Sequence, residues 1–386
     1  MSTRVEPPDT GRADGQCACS PAAALFEPRA PGHVNVPWTD GVVTTVVGDV
    51  PRVRTALGAR DRFGALMARC AVGRLNDRVA PGLYGVGQPT PDSPVLVSAN
   101  YKLSFDRVRS VLTRRDAWIL VLDTKGINVW CAAGKGTFGT AEIVRSVRQW
   151  GLDRIVAHRR LVVPQLGAPG VAAHEVHERT GFRVVYGPVR AEDLPAFLDA
   201  RMKALPAMRL VRFALRDRVV LIPVELVMGG KFALIAAAAF LALGGLGPDG
   251  YSLAAVRTTG AVSAGVLLAS FLTAGIFGPT LLPWLPGRAF SVKGATLGAA
   301  LVCLLLATGW RDPGVFGSGL HRAAWAVIVP AITSFVVMNF TGASTYTSLS
   351  GVLREMRFAV PAQIAAAVIG LGLWLTGLFV PGGLAK

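Results

Sequence analysis

Residues 128–140 read NVWCAAGKGTFGT. A single thiol, Cys131, sits among the smallest residues available, with Trp130 before it and Ala132, Ala133, Gly134 and Lys135 after it. Such a face is stripped of bulk, so backbone can approach a large flat ligand closely, and Trp130 can shield one side from water. A thiolate in that setting is a ligand for a soft or borderline metal centre. A lone cysteine is equally often a small core hydrophobe. The residues alone leave both readings open.

Other chemistry is easier to weigh. GKGT (134–137) invites a phosphate-loop reading, but a Walker A loop needs Gly where Val129 stands and Ser or Thr where Gly136 stands. A nucleophilic cysteine needs a histidine base, and His158, His174 and His177 carry no local signal for that role. HEVHE (174–178) has two histidines at i,i+3 without further ligands, which fits a solvated helix better than a zinc site. The five cysteines, Cys17, Cys19, Cys70, Cys131 and Cys303, are scattered and form no disulfide framework. Cys17 and Cys19 make a C-x-C whose plain reading is two free thiols in a tail. No basic run followed by an apolar run opens the chain, so a cleaved signal peptide is not expected. A reducing cytosol is expected around the first half.

The elements that must position Cys131 follow from periodicity. Residues 1–37 are rich in Pro, Ala, Gly and charge, and are expected to be disordered. From Ser93 short apolar runs alternate with helical spacing. SPVLVSAN (93–100), AWILVLDT (117–124), RLVVP (160–164) and RVVYGPV (183–189) read as strands. Phe105, Val108, Val111 and Leu112 mark one helix, and Phe138, Ile143, Val144, Val147 and Trp150 the next. Residues 171–180 and 192–204 complete the series. This alternation predicts a parallel sheet covered on both faces, with ligands beyond the carboxyl ends of the strands. NVWCAAGK begins at such an end.

The charge distribution divides the chain. Thirteen of the 64 charged residues lie from Val219 onward, and the other 51 precede it. The second half holds five apolar stretches, about 224–246, 254–277, 290–308, 323–341 and 359–380. Each supplies the roughly 20 residues that a bilayer span needs. Much of the net +16 lies just before them, in Arg201, Lys203, Arg209, Arg212, Arg216 and Arg218. That placement fits a cytoplasmic juxtamembrane segment rather than a nucleic-acid patch. Arg288–Lys293 and Arg354–Arg357 support an N-terminal domain inside and a C-terminus outside; Arg311 and Arg322 oppose it. Residues 261–287, 294–310, 323–353 and 358–385 contain no Asp, Glu, Lys or Arg, which argues against an ion-coupled transporter.

The octapeptide NVWCAAGK (128–135) resembles the cap-helix signature of the HgcA family, the corrinoid proteins of microbial mercury methylation, which are related to the corrinoid iron–sulfur protein. SANYKLSFD (98–106), WILVLDTKGINVWCAAGKGTFGT (118–140) and VVPQLGAPGVAAHEV (162–176) resemble that family too. NFTGASTYTSLSGVLREMR (339–357) resembles a segment shared with the corrinoid iron–sulfur protein. The resemblance covers about 38–386, and the long tail with Cys17 and Cys19 departs from it. It implies a Rossmann-like α/β corrinoid-binding domain over 38–218 and an all-α membrane domain of five transmembrane helices over 219–386. The expected location is the cytoplasmic membrane.

The resemblance also implies roles. Cys131 would be the lower axial ligand of the cobalt of cobalamin or a related corrinoid. Asn128, Val129, Trp130, Ala132, Ala133, Gly134 and Lys135 would form the cap helix beneath the corrin, and Gly136 and Thr137 would cap the following helix. Asn100, Asp123, Thr124 and the turn Pro164–Gln165–Leu166–Gly167 are candidates for the opposite wall. No D-x-H-x-x-G motif offers a histidine ligand, and no four cysteines are spaced for an iron–sulfur cluster. Electrons would come from HgcB, a ferredoxin-like partner with two four-iron–four-sulfur clusters, and the methyl group from a methyltetrahydrofolate pathway. Hg(II) is an electrophile and needs a methyl group of carbanion or radical character, which electron donation from a thiolate favours. The expected activity is therefore methyl transfer to Hg(II) at a membrane. The alternative is a corrinoid methyl carrier of one-carbon metabolism without a mercury role. A transporter with a regulatory soluble domain is a third reading, and a bound corrin would remove it.

Overall fold

The computed structural model describes residues 36–74, 76–308, 318–343 and 349–380. The expectation for the tail falls almost wholly outside them, as do Cys17, Cys19, Arg311 and residues 344–348.

The stretch AWILVL forms β5 (Ala117–Leu122), and all six residues are buried. Side chains alternate across a strand, so Trp118, Leu120 and Leu122 enter one core and Ala117, Ile119 and Val121 the other. Helices cover both faces. Phe105 and Leu112, on and just after α2 (Lys102–Val111), fill the second core, while Ile143 and Val147 of α4 (Thr140–Gln149) fill the first. β4 (Val95–Ala99), β6 (Arg160–Val163) and β7 (Arg183–Tyr186) run parallel to β5, in the order β5-β4-β6-β7. This half of the sheet is Rossmann-like. The chain steps from β4 to β5 on one side and then returns to β6 on the other. The topological switch point therefore lies between β4 and β6.

The sheet is not purely parallel. It has seven strands, three of them ahead of the alternating region: β1 (Thr39–Thr45), β2 (Gly48–Val53) and β3 (Gly82–Val86). β1 and β2 form an antiparallel hairpin, and β3 lies antiparallel against β5. These strands carry Gly, Asp and Pro within short runs, which hides them from a periodicity reading. α1 (Ala59–Arg69) joins β2 to β3.

Between β5 and β6 lie α3 (Val129–Gly134), α4 and α5 (Leu152–Ile155); α6 (Ala173–Thr180) precedes β7, and α7 (Leu194–Asp199) follows it. A short α8 (Leu215–Val219) then leads into α9 (Ile222–Leu243). α10 (Leu253–Ala255) and a π-turn open the second long helix, α11 (Ala261–Leu281). α12 (Phe290–Thr308), α13 (Gly319–Asn339) and α14 (Leu349–Phe379) complete the second half. Among the described residues five helices are long and apolar enough to cross a membrane. Their shared core holds Trp325 and Trp374, with the Phe240 ring 5.2 and 4.7 Å away respectively. The Trp374 indole N–H donates to Ser263 Oγ at 3.0 Å, so the one polar atom of that ring is satisfied.

Candidate functional site

Asn128 ends the loop after β5 and caps α3. Its Oδ1 accepts the Cys131 backbone N–H at 2.9 Å, in the extended conformation typical of an N-cap. α3 buries Ala132 and Ala133 and exposes Trp130, Cys131, Gly134 and Lys135. The thiol thus lies on an open face, not in the core. Gly134 has no internal reason to be glycine. Its backbone is helical, and a Cβ there would meet nothing within 4 Å. A glycine in a helix costs about 1 kcal/mol relative to alanine. Gly136 has a positive φ of +78°, and a Cβ there would also point into open space. Beside Cys131 the surface is therefore flat and unobstructed, as a broad planar ligand requires.

The loop ahead of α3 is built by Asn100, at the end of β4. Asn100 is 3 % exposed. Its Oδ1 accepts Thr124 N–H at 3.1 Å and Gly126 N–H at 2.9 Å, and its Nδ2 donates to Asp123 Oδ1 at 3.2 Å. The Thr124 hydroxyl lies 2.8 Å from Asn100 Oδ1 and 2.7 Å from the Ile127 carbonyl. Burial pushes the Asp123 carboxyl up, but hydrogen bonds from Lys125 and Asn100 outweigh it and hold it below the ordinary carboxylate range. Asn100, Asp123 and Thr124 thus fold the 123–127 turn and aim Asn128. Their polar groups serve that turn.

Behind α3 stands a 3-10 segment, Gln165–Gly170, following β6. Phe138 is fully buried between the two, and a Cβ on Gly167 would collide with its ring, so Gly167 is a close-packing glycine. Gln165 Oε1 accepts from Arg209 Nη1 at 2.6 Å, which ties this turn to the basic segment before the apolar helices. Thr137 does not cap α4. Its Oγ1 lies 3.4 Å from the Ala132 carbonyl, and α4 begins three residues later with Gly139 as N-cap. Phe138 must turn inward first, and that delays the helix.

On the other side of Trp130 lies a cavity of about 460 Å³ at the switch point. Leu96, Val97 and Ser98 of β4 and Val162 of β6 form its floor. Tyr101, Pro164, Leu166 and Gly187, all just beyond strand ends, form its wall, and Asn128, Val129 and Trp130 close it toward the cap. Arg74, Arg107 and Arg190 also border it. The Arg74 guanidinium lies 5.8 Å from the Tyr101 ring centre, Arg107 lies 3.5 Å from Glu192, and Arg190 lies 2.6 Å from Asp217. Sequence reasoning missed Tyr101 and these arginines. Tyr101 directly follows Asn100 at a strand end, which was the available signal. The arginines carried none, because Arg74 and Arg190 come from two loops and Arg107 from α2, far apart in sequence. Cys131 is outside the cavity lining, so one short helix separates a deep apolar slot from an open platform.

Residues 74–198 match a known family. The matching model is that of the CO dehydrogenase/acetyl-CoA synthase delta subunit. Among curated relatives, the acetyl-CoA decarbonylase/synthase complex subunit gamma of Methanopyrus kandleri is 34 % identical over 123 residues, 31 % of this chain and 26 % of that protein. The corresponding subunit of Archaeoglobus fulgidus is 32 % identical over 124 residues, 32 % of this chain and 26 % of that one. The corrinoid/iron–sulfur protein large subunit of Moorella thermoacetica is 30 % identical over 127 residues, 32 % of this chain and 28 % of that one. The matches span about a quarter of each relative's length. The segment matched by the family model carries the platform and most of the cavity lining, and the similar proteins include a corrinoid/iron–sulfur protein subunit.

Proposed function

We propose that residues 74–198 bind a corrinoid and take part in methyl transfer, and that the five apolar helices anchor this chemistry at a membrane. The observation that carries the reading is the cap helix. It presents an exposed thiol next to a glycine that neither packing nor backbone conformation demands, at the carboxyl edge of a doubly wound sheet. A bound corrinoid supplies the cobalt and the methyl–cobalt bond. The chain supplies the rest. Cys131 would hold the cobalt through its thiolate, Asn128 fixes the Cys131 backbone N–H, and Gly134 and Gly136 would leave room for the ring. The apolar slot behind Trp130 is large enough for part of such a cofactor, not for all of it. Lys135 remains exposed at the platform's rim.

The first reading of the activity is a methyl carrier of one-carbon metabolism, supported by the similarity to acetyl-CoA decarbonylase/synthase subunits and to a corrinoid/iron–sulfur protein. The second reading is methyl transfer to Hg(II), and the exposed cap thiol favours it. Transfer of a methyl cation between nucleophiles does not need a thiolate ligand, whereas transfer to an electrophile gains from electron donation below the metal. In both readings a ferredoxin-like protein such as HgcB would deliver electrons, a methyltetrahydrofolate pathway would donate the methyl group, and the sheet domain would face the cytoplasm.

The test is made with the full chain, purified in detergent from an anaerobic host that makes corrinoids. Wild type should carry a corrin spectrum, and Cys131→Ala should retain the corrinoid with a shifted spectrum. With a ferredoxin-type partner and isotopically labelled Hg(II), wild type should form methylmercury and Cys131→Ala should lose activity by at least about 100-fold, beyond the loss typical of outer-shell partners. Loaded, reduced wild type that makes no methylmercury leaves the methyl-carrier reading standing. Absence of any bound corrinoid removes both.

A further inference from the structure

The junction between the sheet domain and the apolar helices contains a buried cation without a counter-ion among the described residues. Arg218 is 3 % exposed, and its Nε and Nη1 have no hydrogen-bond partner. Burying a guanidinium unpaired is costly, so an anion is expected beside it. The neighbouring carboxylate does not serve, because Asp217 is engaged by Arg190 at 2.6 Å. The Arg218 guanidinium faces an aromatic ring instead, 5.7 Å from the centre of Trp284.

Trp284 is 69 % exposed and sits in the loop between α11 and α12. That loop is held firmly. Lys293 Nζ, itself 9 % exposed, donates to the carbonyls of Leu282 at 2.9 Å and Leu285 at 2.5 Å. Phe213 stacks on Phe340 at 6.2 Å, so the end of α13 meets the segment before α8 on this same side. Around Arg218 the surface alternates cations with apolar side chains. Leu210, Val211, Leu215 and Val219 are exposed, and so are Arg212 and Arg216. An exposed tryptophan, exposed aliphatics and arginines beside apolar helices are the features of a membrane–water interface.

We propose that Arg218 and Trp284 form a binding site for the phosphate of an anionic phospholipid headgroup. The lipid chains lie along the apolar helices that continue from this face, and the phosphate supplies the missing counter-ion. Leu221, three residues after Arg218, borders the cavity at the switch point, so a lipid held here also braces one edge of the candidate cofactor site.

The test uses the full chain in detergent, titrated with phosphatidylglycerol or phosphatidylcholine, with bound lipid counted by native mass spectrometry. Wild type should retain phosphatidylglycerol in preference to phosphatidylcholine. Arg218→Gln should weaken that retention about tenfold, the scale expected for losing charge-assisted hydrogen bonds. Trp284→Ala, an exposed change that leaves folding intact, should weaken it in the same direction. Equal retention of the two lipids, or wild-type retention by both variants, overturns the proposal. Displacement of the lipid by millimolar inorganic phosphate would show a free-anion site and overturns the lipid assignment. The corrin spectrum keeps this test separate from the proposed function: it should survive in Arg218→Gln, and its loss would place Arg218 in the cofactor site instead.

Discussion

Asn100 uses nearly all its hydrogen-bonding capacity inside the protein, on Thr124, Gly126 and Asp123. Removing its side chain leaves two buried backbone donors unpaired, at about 1–3 kcal/mol each. Asn100→Ala should therefore lower full-chain stability by roughly 2–4 kcal/mol, read as a fall in melting temperature, and should loosen the turn that aims Asn128. A melt unchanged from wild type would mean that the turn holds itself. For Cys131 the sequence left a core thiol and an outward-facing one equally open, and the structure exposes it on α3. Asn100, Asp123 and Thr124 were legible as strand-end residues, but their job was not. A wall and a brace look alike in sequence, and only the hydrogen-bond geometry separates them.

The element least visible beforehand was the β1–β3 extension with α1. It is fastened from the side by ion pairs that sequence spacing could show only in part. Lys102 Nζ lies 2.8 Å from Asp61 Oδ1 and 2.6 Å from Asp106 Oδ2, while Arg109 Nε lies 2.7 Å from Asp106 Oδ1. Arg109 Nη2 reaches Asp61 Oδ2 at 2.9 Å, so α1 is clamped to α2 by a buried four-residue cluster. The i,i+3 and i,i+4 contacts within α2 could be inferred, but the reach to Asp61 crosses 41 residues. Burial pushes the Asp61 carboxyl up, but the hydrogen bonds from Lys102, Arg109 and the Gly58 N–H outweigh it and hold its pKa at about 2, below the ordinary 3.8. A depressed carboxylate contributes stability that is fully present above its ordinary pKa and is lost as pH falls through the folded value. The clamp should thus be intact at neutral pH and should fail between about pH 4 and 2. Melting temperature followed across that window should fall in wild type. In Asp61→Asn, already less stable at pH 7, the same fall should be shallower. Parallel slopes in the two proteins would place the acid sensitivity elsewhere.

At the scale of the whole molecule, two kinds of core share one chain: one on each face of the sheet, and one among the long helices. The sheet core is built from strands buried on both faces, whereas the helical core depends on close approach of backbones at glycines. One tight seam lies between α12 and α13. Gly294 and Gly298 are four apart, and a Cβ on Gly298 would come within 2.6 Å of Pro330 Cα, while one on Gly294 would come within 2.6 Å of Ser334 Cα. Backbone cannot yield there as a flexible side chain could. Gly298→Leu should force α12 from α13 and cost about 1–3 kcal/mol or more, the range for overpacking. Gly372→Leu is the matched control, since a Cβ at Gly372 meets nothing within 4 Å. In detergent, Gly298→Leu should unfold its helical half at lower temperature, and Gly372→Leu should follow wild type. Because the sheet domain has its own core, the corrin spectrum expected of wild type should persist in Gly298→Leu after the helices have loosened. If that spectrum disappears together with helix packing, the lower half does more than anchor. The junction at Leu221, where the helices border the cavity, would then be the path by which it reaches the cofactor site.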